Sequence, residues 1–487
     1  MTTALKVISD RSRSLQRLTG TALAAAYAAL AISVVASIAL FSALIERPWI
    51  PPALAAAVFV VGLFPAARIF IRKDTSRVPF MPLVGLYYAV AFGLSYFLPG
   101  NADYSDPAWT TEAQTRAFAT ALSGVALMFS SYAIGQLWVF RRFPIVTVPR
   151  RRLGLISLHT LAWIALLANT LFYFWKPLQS IPTFPLLIGG TSGYLGFAVA
   201  FFLWLQGKLG RSERVLLGGV VIPANLVLRL ATGLLGEVMI IGLIFAVVMW
   251  RERGQIPWTL TMVGFAFFVA LSPVKFEYRE LLQTLPNAPA DTSATEQIAL
   301  GLDLATHYLN SGSEFRASDF TYTAGGRLND ALTLARVMDL TPSSVPYWAG
   351  RTYTPLLTHW IPRILWSGKP VENTGNEFGH RYGYLGPDDD QTSYNLPWLV
   401  EMYANFGFLG VLVGMLIAGL VLSLIDRLLN PSTREPASMA LAVCVLLGMT
   451  IQESGFSGMI GGLPQTVIVL MLALWFTRRA NSSVAAK

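Results

Sequence analysis

Residues 401–425 read EMYANFGFLGVLVGMLIAGLVLSLI: a carboxylate, an Asn-Phe-Gly triplet, then an uncharged run from 407 to 425. The ~30 Å hydrocarbon core of a bilayer takes about 20 apolar residues as helix, so 407–425 fits one membrane span. Asn405-Phe406-Gly407 predicts a break in the helix that Glu401 begins. The composition agrees, with 54% hydrophobic and only 13% charged residues, where soluble domains carry about 25% charge. Further apolar stretches fall at 21–44, 51–67, 79–98, 117–140, 153–174, 183–205, 215–250, 256–271, 438–453 and 463–477. The run 215–250 is too long for one crossing, at about 54 Å as a straight helix. A break near Thr232-Gly233 makes it two short spans. The expectation is an all-α polytopic membrane protein of about 12 transmembrane helices.

Charge sets its orientation, because Lys and Arg concentrate in cytoplasmic loops. Basic residues gather in the first 17 positions and then at 68–77, 141–152, 208–214, 251–253, 427–434 and 478–479, which is every second connection. Both termini are therefore expected in the cytoplasm. The net charge of +9 follows from this bias, and nucleic acid is dropped as a partner. One cysteine, Cys444, excludes an intrachain disulfide framework, and four histidines leave little for a metal centre. No metal and no cofactor are expected.

The alternation places the long connection between spans nine and ten outside. The chain then divides into 1–271 (spans one to nine), 272–395 (the outer loop domain) and 396–487 (the last three spans). Structureless loops of this length are rare unless functional. Apolar residues at Ile298, Leu302, Ala305 and Leu309 predict an amphipathic helix over 293–309, and Leu328, Leu332, Ala335 and Met338 another over 327–340. With too few apolar residues for a core of its own, the loop is expected to dock on the membrane domain.

The chemistry is densest from Arg351 to Gly407. Trp360, Trp366 and Trp398 predict a chain lying in the membrane interface. Arg363, Lys369 and Arg381 offer the cations of a diphosphate site, since Arg forks onto phosphate oxygens and Lys adds a point charge; binding of lipid headgroups is the plainer alternative. His380 is a candidate general base or a structural histidine, and Glu401 a second base or a helix-start carboxylate. The run Asp388-Asp389-Asp390 reads as a solvated turn. Within the membrane, Arg229 and Glu237 flank the break near 232. They line a headgroup site or pair with each other. His159 reads as a hydrogen-bonded core residue.

The order Ile361-Pro362-Arg363-x-x-Trp366-x-x-Lys369-Pro370, then Gly375-Asn376-x-Phe378-Gly379, then Pro397-x-x-x-Glu401-x-Tyr403-x-Asn405-Phe406-Gly407 resembles bacterial polysaccharide repeat-unit polymerases. These are the O-antigen and exopolysaccharide polymerases of the Wzy type. The resemblance implies a GT-C-like membrane glycosyltransferase of the inner membrane with its active site facing the periplasm. It implies undecaprenyl-diphosphate-linked oligosaccharides as donor and acceptor, surrounding membrane lipid, and a chain-length regulator and flippase as partners. Carried onto this chain, it makes His380 and Glu401 the catalytic candidates. Arg229, Arg363, Lys369 and Arg381 become diphosphate-binding candidates, with Arg351, Asn376, Tyr403 and Asn405 beside them in the substrate site. An O-antigen ligase shares the donor and the membrane face but passes the chain to lipid A core; the quoted pattern favours the polymerase. A secondary transporter of 12 spans would show related halves, and none is visible. A polyprenyl-phosphate-sugar transferase would carry acids in its first outer loop, where only Glu46 stands.

Overall fold

A computed structural model describes residues 49–98, 109–148, 154–175, 191–231, 235–259, 261–264 and, with gaps at 362–364, 367, 371 and 391, 329–478, besides isolated positions between 178 and 306. The described residues form helices and no strand, only an isolated bridge between Ile156 and Thr477. In chain order the helices are α1 Ile50–Arg72, α2 Phe80–Tyr88, α3 Thr111–Ile134, α4 Leu158–Phe174, α5 Thr191–Leu205, α6 Arg211–Leu216, α7 Ile222–Ala231 and α8 Leu235–Arg253. There follow α9 Asp330–Leu340, α10 Thr374–Arg381, α11 Trp398–Leu429, α12 Pro436–Leu447 and α13 Phe456–Trp475.

Among the described residues five stretches are long and apolar enough to cross a bilayer: Ile50–Arg72, Phe80–Phe97, Thr111–Val139, Trp398–Leu429 and Phe456–Trp475. The helices α4, α5 and α12 are apolar but shorter. Of the expected spans, 21–44, the first part of 183–205 and the second part of 256–271 lie outside the described residues. The run 215–250 divides as its length requires, with α7 ending at Ala231 and α8 beginning at Leu235.

Two groups of helices share the core. In one, α11 lies along α3, and α1 packs on α2 and α3; in the other, α4 meets α5, and α5 meets α8 and α12. Small residues set the closest approach, as lipid-embedded helices require when no water drives them together. A Cβ on Gly419 of α11 would stand 2.0 Å from Ser131 Oγ and 2.2 Å from the Met128 carbonyl of α3.

The basic connections meet at one end of the bundle. Asn430 exchanges hydrogen bonds with the Val78 backbone at 2.9 Å each way. Arg427 donates to the Arg141 carbonyl at 2.6 Å, Arg251 to the Thr433 carbonyl at 2.9 Å, and the Arg478 N–H to the Ile156 carbonyl at 2.7 Å. At the other end α9 lies against α3 and α11, as the docking expectation for the loop required. Its buried face is Ala331, Leu334, Ala335, Val337 and Met338. Asn329 caps it, and it ends at Thr341 where the sequence placed the stop. The expected helix at 293–309 lies mostly outside the described residues, but its Ile298 packs on Phe172, Tyr173 and Leu228.

Candidate functional site at the break in α11

Phe406 and Gly407 have non-helical backbone angles inside α11, so the break expected at Asn405-Phe406-Gly407 is present. A break strands helix carbonyls, and buried backbone groups need partners. The segment 347–352 supplies them: Trp348 N–H donates to the Ala404 carbonyl at 3.0 Å and Ala349 N–H to the Asn405 carbonyl at 3.2 Å. The buried Asn405 side chain ties the two together. Its Oδ1 accepts Gly350 N–H at 2.8 Å, and its Nδ2 donates to Thr352 Oγ1 and the Glu401 carbonyl at 2.9 Å each. Gly350, at φ 90°, turns the chain into a 3-10 turn over Arg351–Leu357.

Glu401 is buried one turn earlier. Its Oε2 accepts Phe456 N–H at 2.6 Å, so it caps the start of α13, where a carboxylate meets the positive end of the helix dipole. Ser457 on the same turn of α13 donates to the Thr352 carbonyl. The broken helix, the 3-10 turn and the start of α13 therefore form one hydrogen-bonded assembly. Trp398 is fully buried and packs edge-on to Phe456 with ring centroids 4.8 Å apart. It is a core residue and not the interfacial anchor its composition suggested, because α13 and the segment before it pack on it, with Trp398 N–H donating to the Gln452 carbonyl at 3.3 Å. Trp360 and Trp366 stay exposed.

The expected cations divide into two places. The exposed Arg351 forks onto Glu377, with contacts at 3.0 and 3.2 Å. Lys369 Nζ donates to the carbonyls of His359 and Ile361, both at 3.1 Å. Arg381 lies over the Trp348 ring at 5.3 Å and donates to the Pro346 carbonyl. Arg363 lies outside the described residues. Arg229 sits apart, in the other helix group. It is fully buried between the rings of Tyr173 and Tyr194 and ion-paired with Glu237 at 2.7 Å, with Asn169 Oδ1 at 3.0 Å from its Nη2. That is the pairing across the break read as the alternative from the sequence.

His380 and Asn376, both on α10, hold the following loop. His380 Nε2 lies 3.1 Å from the Asp389 carbonyl, and Asn376 Nδ2 donates to the carbonyls of Asp389 and Thr392 at 2.7 and 2.8 Å. Asp388–Asp390 is the turn so fixed, with Asp389 Oδ1 accepting Thr392 N–H at 2.9 Å. Tyr403 is half-buried against the core. His159 is partly exposed and paired with Glu213 at 2.6 Å, rather than lying in the core.

The residues that sequence reasoning passed over are His359 and Glu372. His359 Nδ1 and Glu372 Oε2 lie 2.9 Å apart, with both side chains about three-quarters buried. The His359 carbonyl receives Lys369 Nζ and also Gln465 Nε2 of α13 at 2.6 Å. A histidine–carboxylate pair and an ammonium thus share one small volume. His359 stands two residues before the quoted motif, within the stretch from Arg351 to Gly407, so its presence was visible; its pairing with a carboxylate on the far side of the Pro-Arg…Lys-Pro turn was not. Among the described residues no group of three His, Cys, Asp or Glu is placed to hold a metal ion. Beside this assembly, burial and then the Glu401 charge raise the Tyr353 phenol above its usual range.

Bundled apolar helices, with a polar assembly around the break in α11, define a multi-pass membrane protein. Residues 316–480, roughly a third of the chain, match the family model of the O-antigen polysaccharide polymerase Wzy. The match bears out the resemblance carried by the motifs in that stretch, which is similar to the O-antigen polysaccharide polymerases of the Wzy type. The family acts on lipid-linked oligosaccharide repeat units. No curated protein and no solved structure matches the chain.

Proposed function

We propose that this protein joins undecaprenyl-diphosphate-linked repeat units at the periplasmic face, transferring the growing chain onto a new lipid-linked unit. The observation that carries the proposal is that the segment matching the polymerase family folds into the assembly around His359, Glu372 and Lys369. Sugars outside the cytoplasm arrive on lipid carriers, and a departing diphosphate gathers negative charge. Arg351, Arg363, Lys369 and Arg381 are the cations proposed to meet that charge; pre-placed cations stabilise it without reorganising.

His359 is the proton acceptor in this proposal. The Glu372 carboxylate, 2.9 Å from Nδ1, stabilises the imidazolium formed when Nε2 takes the proton. The acceptor hydroxyl loses its proton to His359 Nε2 as its oxygen bonds the anomeric carbon of the donor. The bond from that carbon to the diphosphate oxygen breaks, and undecaprenyl diphosphate leaves with the electron pair. His380 and Glu401, the bases expected from the sequence, serve here as framework, because each already binds backbone. Asn376 and Asn405 join them for the same reason, and Tyr403 packs half-buried against the core. Arg229 and Glu237 tie together the other helix group.

The test is polymerisation of a purified lipid-linked repeat unit by membranes carrying each variant. His359→Ala is expected to lower kcat by about 10²–10⁴-fold, the usual contribution of a general base. Glu372→Gln lowers it less, and His380→Ala and Glu401→Gln least. Wild-type turnover by His359→Ala would overturn the assignment of the base. Failure of the wild-type protein to extend any lipid-linked unit would overturn the function.

A further inference from the structure

A groove of about 450 Å³ runs along one face of α11 from Met402 to Ile417, closed at its upper end by Tyr353 and Leu356 of the 3-10 turn and by Phe456 of α13. Its lining is almost wholly apolar. Beyond the break, residues 409, 410, 413, 414 and 417 recur at helical spacing, so the groove follows the span for about 12 Å at 1.5 Å per residue, with Met402 folded back beside Gly410 and Gly414. Gly410 and Gly414 make its floor. A Cβ on Gly414 would stand 2.5 Å from Met402 Sδ, and Met402 lies against the helix there because no side chain intervenes. Phe406, Leu409, Val413 and Ile417 are about half exposed or more, so the groove opens sideways from a membrane span.

The two ends differ chemically. The lower end is apolar throughout. The upper end lies under the turn whose first residue is Arg351 and whose last turn passes into His359, with His359 N–H donating to the Pro355 carbonyl at 2.7 Å. Lys369 Nζ reaches the same place through the His359 carbonyl. An apolar slot one helix face wide, leading up to an ammonium and an exposed guanidinium, is complementary to a single-chain amphiphile with an anionic head.

We propose that the groove along residues 402–417 holds the hydrocarbon tail of the lipid-linked substrate, with its diphosphate at the Arg351–Lys369 end. This rests on the polymerase reading above and deepens it. The break in α11 then has a second use. It turns the upper part of the helix aside, so that the 3-10 turn roofs the slot and the tail's first carbons emerge beside His359. Tail binding then holds the substrate at the pair, equally in the ground state and the transition state.

Two measurements test this together. In the first, a polyprenyl diphosphate carrying a diazirine on its tail is photolysed with the membrane-embedded protein, and labelled peptides are mapped. Label is expected within 402–417, displaced by excess long-chain polyprenyl diphosphate and not by phosphatidylglycerol vesicles. In the second, Val413→Trp and Ile417→Trp, both at exposed positions that tolerate bulk, are assayed with long-tailed and two-isoprene-tailed repeat units. KM for the long-tailed unit is expected to rise by about tenfold with kcat unchanged, the mark of lost ground-state and transition-state binding alike, while KM for the short-tailed unit stays put. Label elsewhere on a protein that polymerises normally overturns the groove and leaves the function standing. Displacement by phosphatidylglycerol also overturns it, by making the slot a seat for bulk lipid. Label in 402–417 on a protein that extends no lipid-linked unit upholds the groove and sinks the polymerase reading.

Discussion

Asn405 joins three pieces of chain with one amide: its oxygen takes the Gly350 N–H, and its nitrogen serves Thr352 and the Glu401 carbonyl. Only a side chain with an acceptor and two donors at this length does so. Asn405→Asp keeps the acceptor and loses both donors. Leaving buried partners unsatisfied costs about 1–3 kcal/mol. Thermal unfolding in detergent should therefore show Asn405→Ala and Asn405→Asp both destabilised. Glu401 allows a sharper separation. If its work is to cap α13, Glu401→Gln retains an acceptor for Phe456 N–H and keeps most stability and activity. Glu401→Ala bares the helix start and loses about 1–2 kcal/mol. Equal loss of turnover in both, with stability intact in Glu401→Gln, would return Glu401 to the role of base. The sequence shows these residue types and their order. It does not show that the carboxylate looks across to a helix beginning 55 positions later.

Among the elements, the broken helix α11 is the one whose form was most legible. Asn-Phe-Gly before a long apolar run announced a break, and Gly407 sits there at φ 66° and ψ −155°. A Cβ at that position would meet Tyr347 Oη at 2.7 Å besides adopting a conformation that side chains resist. Gly407→Ala should cost about 1–3 kcal/mol. Tyr347→Phe in the same protein should relieve the clash alone, so a thermal-shift series is expected to show partial rescue. The docked helix α9 makes a pH prediction. Its Asp330 is buried, with Oδ2 accepting Tyr87 Oη at 2.7 Å. Burial first, and the Glu453 charge second, push its pKa up to about 8. The docked protein thus holds a proton that the free loop releases above the ordinary aspartate range of about 4. Its contribution to docking is complete below about pH 4 and is lost as pH rises through about 8. Unfolding temperature should fall between about pH 4 and 8 and level off above, and Asp330→Asn should flatten that part of the profile. The amphipathic pattern found this helix but centred its apolar face on Leu332. Ala331 and Leu334 prove more buried, because α3 and α11 cover two sides of the helix.

Across the molecule, hydrogen bonds gather the basic connections at one end and the docked loop at the other. The buried Cys444 gives a silent background for labelling. Ser76→Cys and Ser432→Cys are expected to react with an impermeant thiol reagent from one side of the membrane, and Ser343→Cys and Asp388→Cys from the other. Labelling of all four from one side would overturn the charge-based topology.

The chain's apolar runs determined by themselves that it is a helical membrane protein, since a span must satisfy its backbone within the segment and so is written locally. The motif stretch carried the resemblance to the polymerase family in the same way, by residue order. Which residues meet was decided only by the tertiary structure. His359 with Glu372, Asn405 with Gly350 and Glu401 with Phe456 are contacts across chain separations that carry no periodicity. Each forms because folding the loop onto the break in α11 buries polar groups that must then find one another.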